Sequence, residues 1–89
     1  MANHMNETTT VTEVKNKIHS VILRIAGTKD NPELVDELKE ELKQELGCSV
    51  YRITKFLKNT AQPDPVELRV ISDVLRKYDS SINMESLVA

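Results

Sequence analysis

The stretch from Glu45 to Asn59 constrains the fold most, because it contains the end of one helix and the start of the next. Gly47 most readily takes the left-handed conformation that commonly follows the last turn of a helix. Ser49 is a preferred N-cap residue, since its hydroxyl accepts a hydrogen bond from a backbone N–H of the new first turn. These residues therefore predict a helix, a glycine turn and a second, short helix.

The second of these helices has an apolar side and a polar side. Val50, Ile53 and Leu57 recur at i, i+3 and i+7, with Phe56 beside them, which predicts a buried stripe. The remaining positions are hydroxylated or basic: Tyr51, Arg52, Thr54, Lys55 and Lys58. A short helix with an apolar back and a basic, hydroxyl-rich front is typical of a DNA recognition helix.

At these residues the chain resembles a known family, the lambda-repressor-like helix-turn-helix domains of phage repressors and Cro proteins. In that family the first helix of the motif ends in an apolar residue and a glycine, as in Leu46-Gly47. A small apolar residue and Ser or Thr follow, as in Cys48-Ser49, and Ile53 and Phe56 match the apolar positions of the recognition helix. The loop 59–65, with its prolines, resembles the family's approach to the following helix.

The resemblance lies mainly over residues 42–88 and has three departures. The family usually has Ala where this chain has Lys43, Gln near the position of Glu40, and Gly where this chain has Asn59. The resemblance implies a compact all-α bundle, which we expect to contain five helices, and a DNA-binding transcriptional regulator without a cofactor.

The beginning of the chain divides into a tail and a first helix. Residues 1–9 are polar and lack periodicity, so we predict a disordered tail followed by a single domain over 10–89. Thr10 and Glu13 have the spacing of a capping box, which predicts a helix start. Its apolar stripe comprises Val14, Ile18, Val21, Ile22 and Ile25, and Ala26-Gly27 is expected to end it.

Capping residues and apolar stripes predict the remaining helices. Asn31 before Pro32 predicts the start of the second helix, and Asp64 before Pro65, with Glu67, predicts that of the fourth. The stripe of the second helix is Leu34, Val35, Leu38, Leu42 and Leu46, and that of the fourth is Leu68, Ile71, Val74, Leu75 and Tyr78.

The C-terminal segment is apolar, and two uses of it stay open. Ser81 can cap a final short helix that contains Ile82, Met84, Leu87 and Val88. These four residues can cover the core, or they can form the seam of a weak homodimer.

Length and composition argue against several classes of function. A domain of 89 residues is too small for a buried catalytic cleft with its supports, and we expect no enzyme. His4 and His19 have no metal-ligand spacing, and the single Cys48 is expected to pack at the helix junction, so we expect no metal site. The lone cysteine favours a reducing cytoplasm, and neither a membrane-spanning run nor a signal peptide is visible.

The charge is distributed unevenly along the chain. The net charge is −2, yet residues 48–63 carry Arg52, Lys55 and Lys58 with no acidic residue. Attraction to phosphate requires a local basic patch rather than a basic average. The predicted partner is therefore double-stranded DNA.

Position on the recognition helix, together with the resemblance, assigns individual roles. The expected contacts to base edges are Ser49, Tyr51, Thr54 and Lys55, and the expected phosphate contacts are Arg52, Lys58, Asn59 and Thr60. Val50 can meet a thymine methyl group or stay in the core. The alternative hypothesis is a helical adaptor, antitoxin-like or a phage-encoded partner, that uses the acidic second helix and does not bind DNA.

Overall fold

The computed structural model describes residues 16–88, which form four α-helices and one short 3-10 helix. The α-helices are α1 (Ile18–Thr28), α2 (Leu34–Leu46), α3 (Val50–Leu57) and α4 (Pro65–Arg76), and the 3-10 helix is Met84–Leu87. Over the described range there is no strand, and a single antiparallel bridge joins Asn16 to Val88. The predicted all-α class is confirmed, whereas the predicted tail, the Thr10–Glu13 capping box and Val14 lie outside these residues.

The core is built from the predicted apolar stripes of three helices. Ile18, Val21, Ile22 and Ile25 of α1, Leu34, Leu38 and Leu42 of α2, and Ile71, Val74 and Leu75 of α4 are all buried. Four further residues of the predicted stripes are only half-buried at the edge of the core: Val35, Leu46, Leu68 and Tyr78. Because α2 packs against α1, α3 and α4, it is the central element of the bundle.

The C-terminal segment covers part of the core as a 3-10 helix and does not form a fifth α-helix. Ile82 is 1% exposed and Leu87 is fully buried, while Met84 is half-buried and Val88 is exposed. The predicted cap at Ser81 is wrong: the Asn83 side chain accepts from the Ser86 N–H at 3.0 Å and caps the 3-10 helix. Since Ile82 and Leu87 are buried within the chain, they cannot also form the seam of a dimer in this fold.

The turn between α2 and α3 has the geometry expected from Gly47. Its φ and ψ are 65° and 36°, in the left-handed region. The Cys48 N–H donates to the Lys43 carbonyl at 3.2 Å and the Gly47 N–H to the Gln44 carbonyl at 3.3 Å. This is the pair of bonds that closes a helix in a Schellman motif, so the turn satisfies the last carbonyls of α2.

Gly47→Val should lower the free energy of unfolding by about 1–2 kcal/mol, since a residue with a Cβ is strained at positive φ. No atom lies within 4 Å of the Cβ that would be added, so the cost comes from the backbone alone. Gly27→Ala is the matched control, because Gly27 lies within α1 with open space around it and Ala favours a helix. Urea titration measures both variants, and equal stability of the two would contradict the strained turn.

Candidate nucleic-acid interface

Helix α3 packs on the core through one side only. Ile53, Phe56 and Leu57 are buried, whereas Tyr51 is 67% exposed on the opposite side. Val50 is 49% exposed, so its predicted place in the buried stripe is wrong. The buried residues of α3 begin at Ile53, and the core does not cover the first turn. Of the two roles left open for Val50, the core position is therefore excluded.

The outward side of α3 carries hydroxyls and cations and no carboxylate. We call this surface the α3 face, and it comprises Ser49, Tyr51, Thr54, Lys55 and Lys58. The Lys55 Nζ lies 4.7 Å from the centroid of the Tyr51 ring. Within residues 16–88, neither Lys55 nor Lys58 has a carboxylate oxygen within 4 Å. Both ammonium groups are therefore available to an anionic partner.

The Ser49 and Thr54 hydroxyls of the α3 face also have local roles. The Ser49 Oγ accepts from the Arg52 N–H at 3.2 Å, which confirms Ser49 as the N-cap and leaves its hydroxyl proton to donate elsewhere. The Thr54 Oγ1 donates to the Val50 carbonyl at 3.0 Å and keeps its lone pairs as acceptors. Each hydroxyl can still make one kind of hydrogen bond to a base edge.

Arg52 joins the first turn of α3 to the first turn of α4. Its Nε and Nη2 donate to Glu67 at 3.0 and 2.8–2.9 Å, and its guanidinium carbon lies 4.9 Å from the centroid of the Phe56 ring. This bidentate ion pair raises the pKa of Arg52. The carboxylate of Glu67 also accepts from the Asp64 N–H at 2.9 Å, which completes the predicted capping box of α4. The charge expected at a phosphate is thus neutralised by Glu67.

The last turn of α3 is fixed by side-chain amides. Asn59 has φ 61° and ends α3 as Gly47 ends α2, with the Thr60 N–H donating to the Lys55 carbonyl at 3.0 Å. Asn is the residue that most often replaces Gly in this conformation, which accounts for the departure from the family pattern. The Asn59 Oδ1 accepts from the Asn16 N–H at 2.8 Å and from the Gln62 Nε2 at 3.1 Å.

Asn16 completes this amide network from the other end of the chain. Its Nδ2 donates to the Phe56 carbonyl and to the Gln62 Oε1, both at 2.9 Å, and its Oδ1 accepts from the Ile18 N–H at 3.0 Å. Asn16 is buried with every side-chain polar atom bonded. The roles of Asn16 and Gln62 were not predicted, since no local pattern marks partners that are 40 or more residues apart. Of the predicted phosphate contacts nearby, Thr60 is exposed, whereas the Asn59 amide is engaged in this network.

Three acidic side chains of α2 are paired with lysines: Asp36, Glu40 and Glu41. Glu41 accepts from the Tyr78 hydroxyl at 2.7 Å and from Lys77, beyond the C-terminal end of α4. The hydrogen bond from Tyr78 to Glu41 raises the pKa of Tyr78 to about 12. Glu40 pairs with Lys43 at 3.0 Å, and that hydrogen bond lowers the pKa of Glu40. Lys43 and Lys77 thus partly neutralise Glu40 and Glu41, whereas Glu45 makes no ion pair within residues 16–88.

The described residues contain one thiol, that of Cys48. Cys48 is half-buried against the core and burial raises the pKa of its thiol, which disfavours the reactive thiolate. Within residues 16–88 no group of three His, Cys, Asp or Glu side chains is placed to hold a metal ion. In the same range no helix is both long enough and apolar enough to cross a membrane.

No protein-family model matches this sequence, and no curated protein and no solved structure is significantly similar to it.

Proposed function

We propose that this protein binds duplex DNA through the α3 face, as a sequence-specific transcriptional regulator of phage-repressor type. The observation that carries the proposal is the exposed side of α3, where Lys55 and Lys58 stand beside Tyr51 and Thr54 without an acidic neighbour on the helix. Cations attract phosphates, and side chains in the major groove distinguish base pairs by their donors, acceptors and methyl groups.

The predicted residues fall into three groups in this proposal: contacts to bases, contacts to phosphates, and residues that hold α3 in place. Ser49, Tyr51, Thr54 and Lys55 are the proposed contacts to bases, and Lys58 and Thr60 are the proposed contacts to phosphates. Arg52 and Asn59 are assigned a different role from the predicted one: they hold the two ends of α3 through Glu67 and through the Asn16 amide network. Their function in this proposal is to fix the helix that enters the groove.

Binding as a homodimer would extend the recognised sequence. One short helix contacts few base pairs, and helix-turn-helix proteins commonly bind two half-sites one turn of DNA apart. Since Ile82 and Leu87 belong to the core, only Met84 and Val88 of the four predicted seam residues remain accessible to a second copy. A weak dimer that forms on DNA fits this small surface better than a stable one in solution.

The proposal is tested by selecting ligands for the purified protein from a library of random duplexes, followed by fluorescence anisotropy with the enriched sequence. Lys55→Ala and Thr54→Ala should each reduce discrimination at one base pair by about 1–3 kcal/mol. Lys29→Ala is the matched control. This exposed lysine lines a surface cleft with Tyr78 and Asp79, beyond the C-terminal end of α4, whereas Arg52 of α3 pairs with Glu67 at the N-terminal end of α4.

Two results would contradict the proposal. One is a selection that enriches no sequence, together with the absence of binding to any duplex at low salt. The other is an equal loss of affinity in Lys29→Ala and Lys55→Ala. Absence of binding by a folded protein would instead support the adaptor hypothesis.

A further inference from the structure

Tyr51, which is exposed, and Lys55, which is half-buried, contact each other on the α3 face. They are one helical turn apart, and the Lys55 ammonium lies 4.7 Å from the centroid of the Tyr51 ring. A cation within about 6 Å of an aromatic centroid is attracted to the face of the ring. Within residues 16–88 Lys55 makes no ion pair. Its contact with the Tyr51 ring orients the ammonium over the face of the ring.

Contact with the Tyr51 ring changes how the Lys55 ammonium can bind in the major groove of DNA. A free lysine is a point charge on a flexible stem, well suited to a phosphate and poorly suited to one base. When the ring holds one side of the ammonium, its outward N–H groups have a defined direction. An oriented ammonium can donate to the O6 and N7 acceptors that only guanine presents together in the major groove.

Beside the guanine acceptors that Lys55 can bind, the Tyr51 ring can contact an apolar group of the DNA. Tyr51 offers an apolar surface, 67% exposed, next to the ammonium. In the major groove the apolar group that such a surface can contact is the thymine methyl group. Base pairs are stacked about 3.4 Å apart, so two groups separated by 4.7 Å fit neighbouring pairs.

We propose that Tyr51 and Lys55 act together as one recognition unit for a thymine next to a guanine. This inference rests on the proposed DNA-binding function and specifies part of its target sequence. Tyr51 both contacts the thymine and positions Lys55, so loss of the ring should impair recognition of the guanine that Tyr51 does not touch.

The experiment uses the full chain and a labelled duplex that carries the sequence enriched by selection. Two modified duplexes remove single groups: deoxyuridine in place of the thymidine removes the methyl group, and 7-deazaguanine in place of the guanine removes N7. For the unmodified protein, each change should weaken binding by at least about fivefold. In Tyr51→Leu the deoxyuridine duplex should bind almost as tightly as the unmodified duplex. The loss of affinity caused by 7-deazaguanine should be about two- to fivefold smaller than in the unmodified protein.

Two variants keep this test specific. Tyr51→Phe retains the ring and should preserve the losses of affinity caused by both modified duplexes. If the Tyr51 hydroxyl were responsible for recognition, Tyr51→Phe would reduce these losses. Lys58→Ala should weaken binding to all three duplexes equally, because it removes a charge outside the pair.

The outcomes separate this inference from the function on which it rests. A selected sequence without a thymine beside a guanine, or a 7-deazaguanine penalty that is unchanged in Tyr51→Leu, would overturn the recognition unit while leaving DNA binding intact. A selection that enriches no sequence would overturn both. Preserved penalties in Tyr51→Phe and a reduced guanine penalty in Tyr51→Leu would establish the unit.

Discussion

Raising the salt concentration from about 50 to about 200 mM should weaken the binding of duplex DNA by about 100-fold. Each phosphate neutralised by a protein cation releases counterion, so log affinity falls with log salt by about 0.9 per contact. Lys58 at a phosphate and Lys55 at a base edge both bring a positive charge against the DNA and displace counterions, so two protomers on two half-sites give a slope of about −3.5. Anisotropy titrations over this range measure the slope directly.

Three variants show which charges produce the slope. Lys58→Ala should flatten it by about two, since one contact is lost in each half-site. Arg52→Ala should leave the slope nearly unchanged, because Glu67 already neutralises the Arg52 charge. Lys29→Ala should match the unmodified protein. A steep slope that disappears with Arg52→Ala would show that Arg52 leaves Glu67 to contact phosphate, as the sequence analysis expected.

Phe56→Ala should lower the free energy of unfolding by about 3–5 kcal/mol. Phe56 is the largest fully buried side chain of the core, and its ring also supports the guanidinium of Arg52. Removal of the ring leaves a cavity beneath α3 and removes the surface on which the Arg52–Glu67 pair rests. Thermal unfolding followed by circular dichroism measures the loss.

Tyr51→Ala is the matched control, because it removes an aromatic ring from the exposed side of the same helix. Its effect on the free energy of unfolding should stay within about 0.5 kcal/mol. If Tyr51→Ala destabilised the protein as much as Phe56→Ala, the side of α3 that carries Tyr51 would also be packed against the core. The α3 face would then point into the core, and the proposed DNA contacts would be impossible.

Features that depend on neighbouring residues were predicted from the sequence. The left-handed Gly47, the Ser49 cap and the Asp64–Glu67 capping box each involve a few consecutive residues, so their physical cause is visible in the chain itself. The helical periodicity of the apolar residues identified the core of α1, α2 and α4 for the same reason.

Most of the incorrect or missing assignments depend on contacts between distant segments, and the cap at Asn83 rather than Ser81 is the local exception. The helical periodicity predicted Val50 in the buried stripe of α3, but periodicity cannot show how far along α3 the neighbouring helices extend. Val50 lies in the first turn and is exposed. Composition identified Arg52 as a free cation, because its partner Glu67 belongs to another helix. Asn59 was expected at the DNA, whereas its amide is bonded to Asn16, whose backbone position is set only by the folded chain.

The bridge between Asn16 and Val88 places the two ends of the described chain side by side. The Lys17 N–H donates to the Leu87 carbonyl at 2.8 Å, so the contact continues along both segments. A short linker could therefore join these ends without stretching the fold, and new termini could be opened at the exposed turn around Asp30. Such a circular permutant would retain α3 and its supports in one uninterrupted segment, away from both new ends.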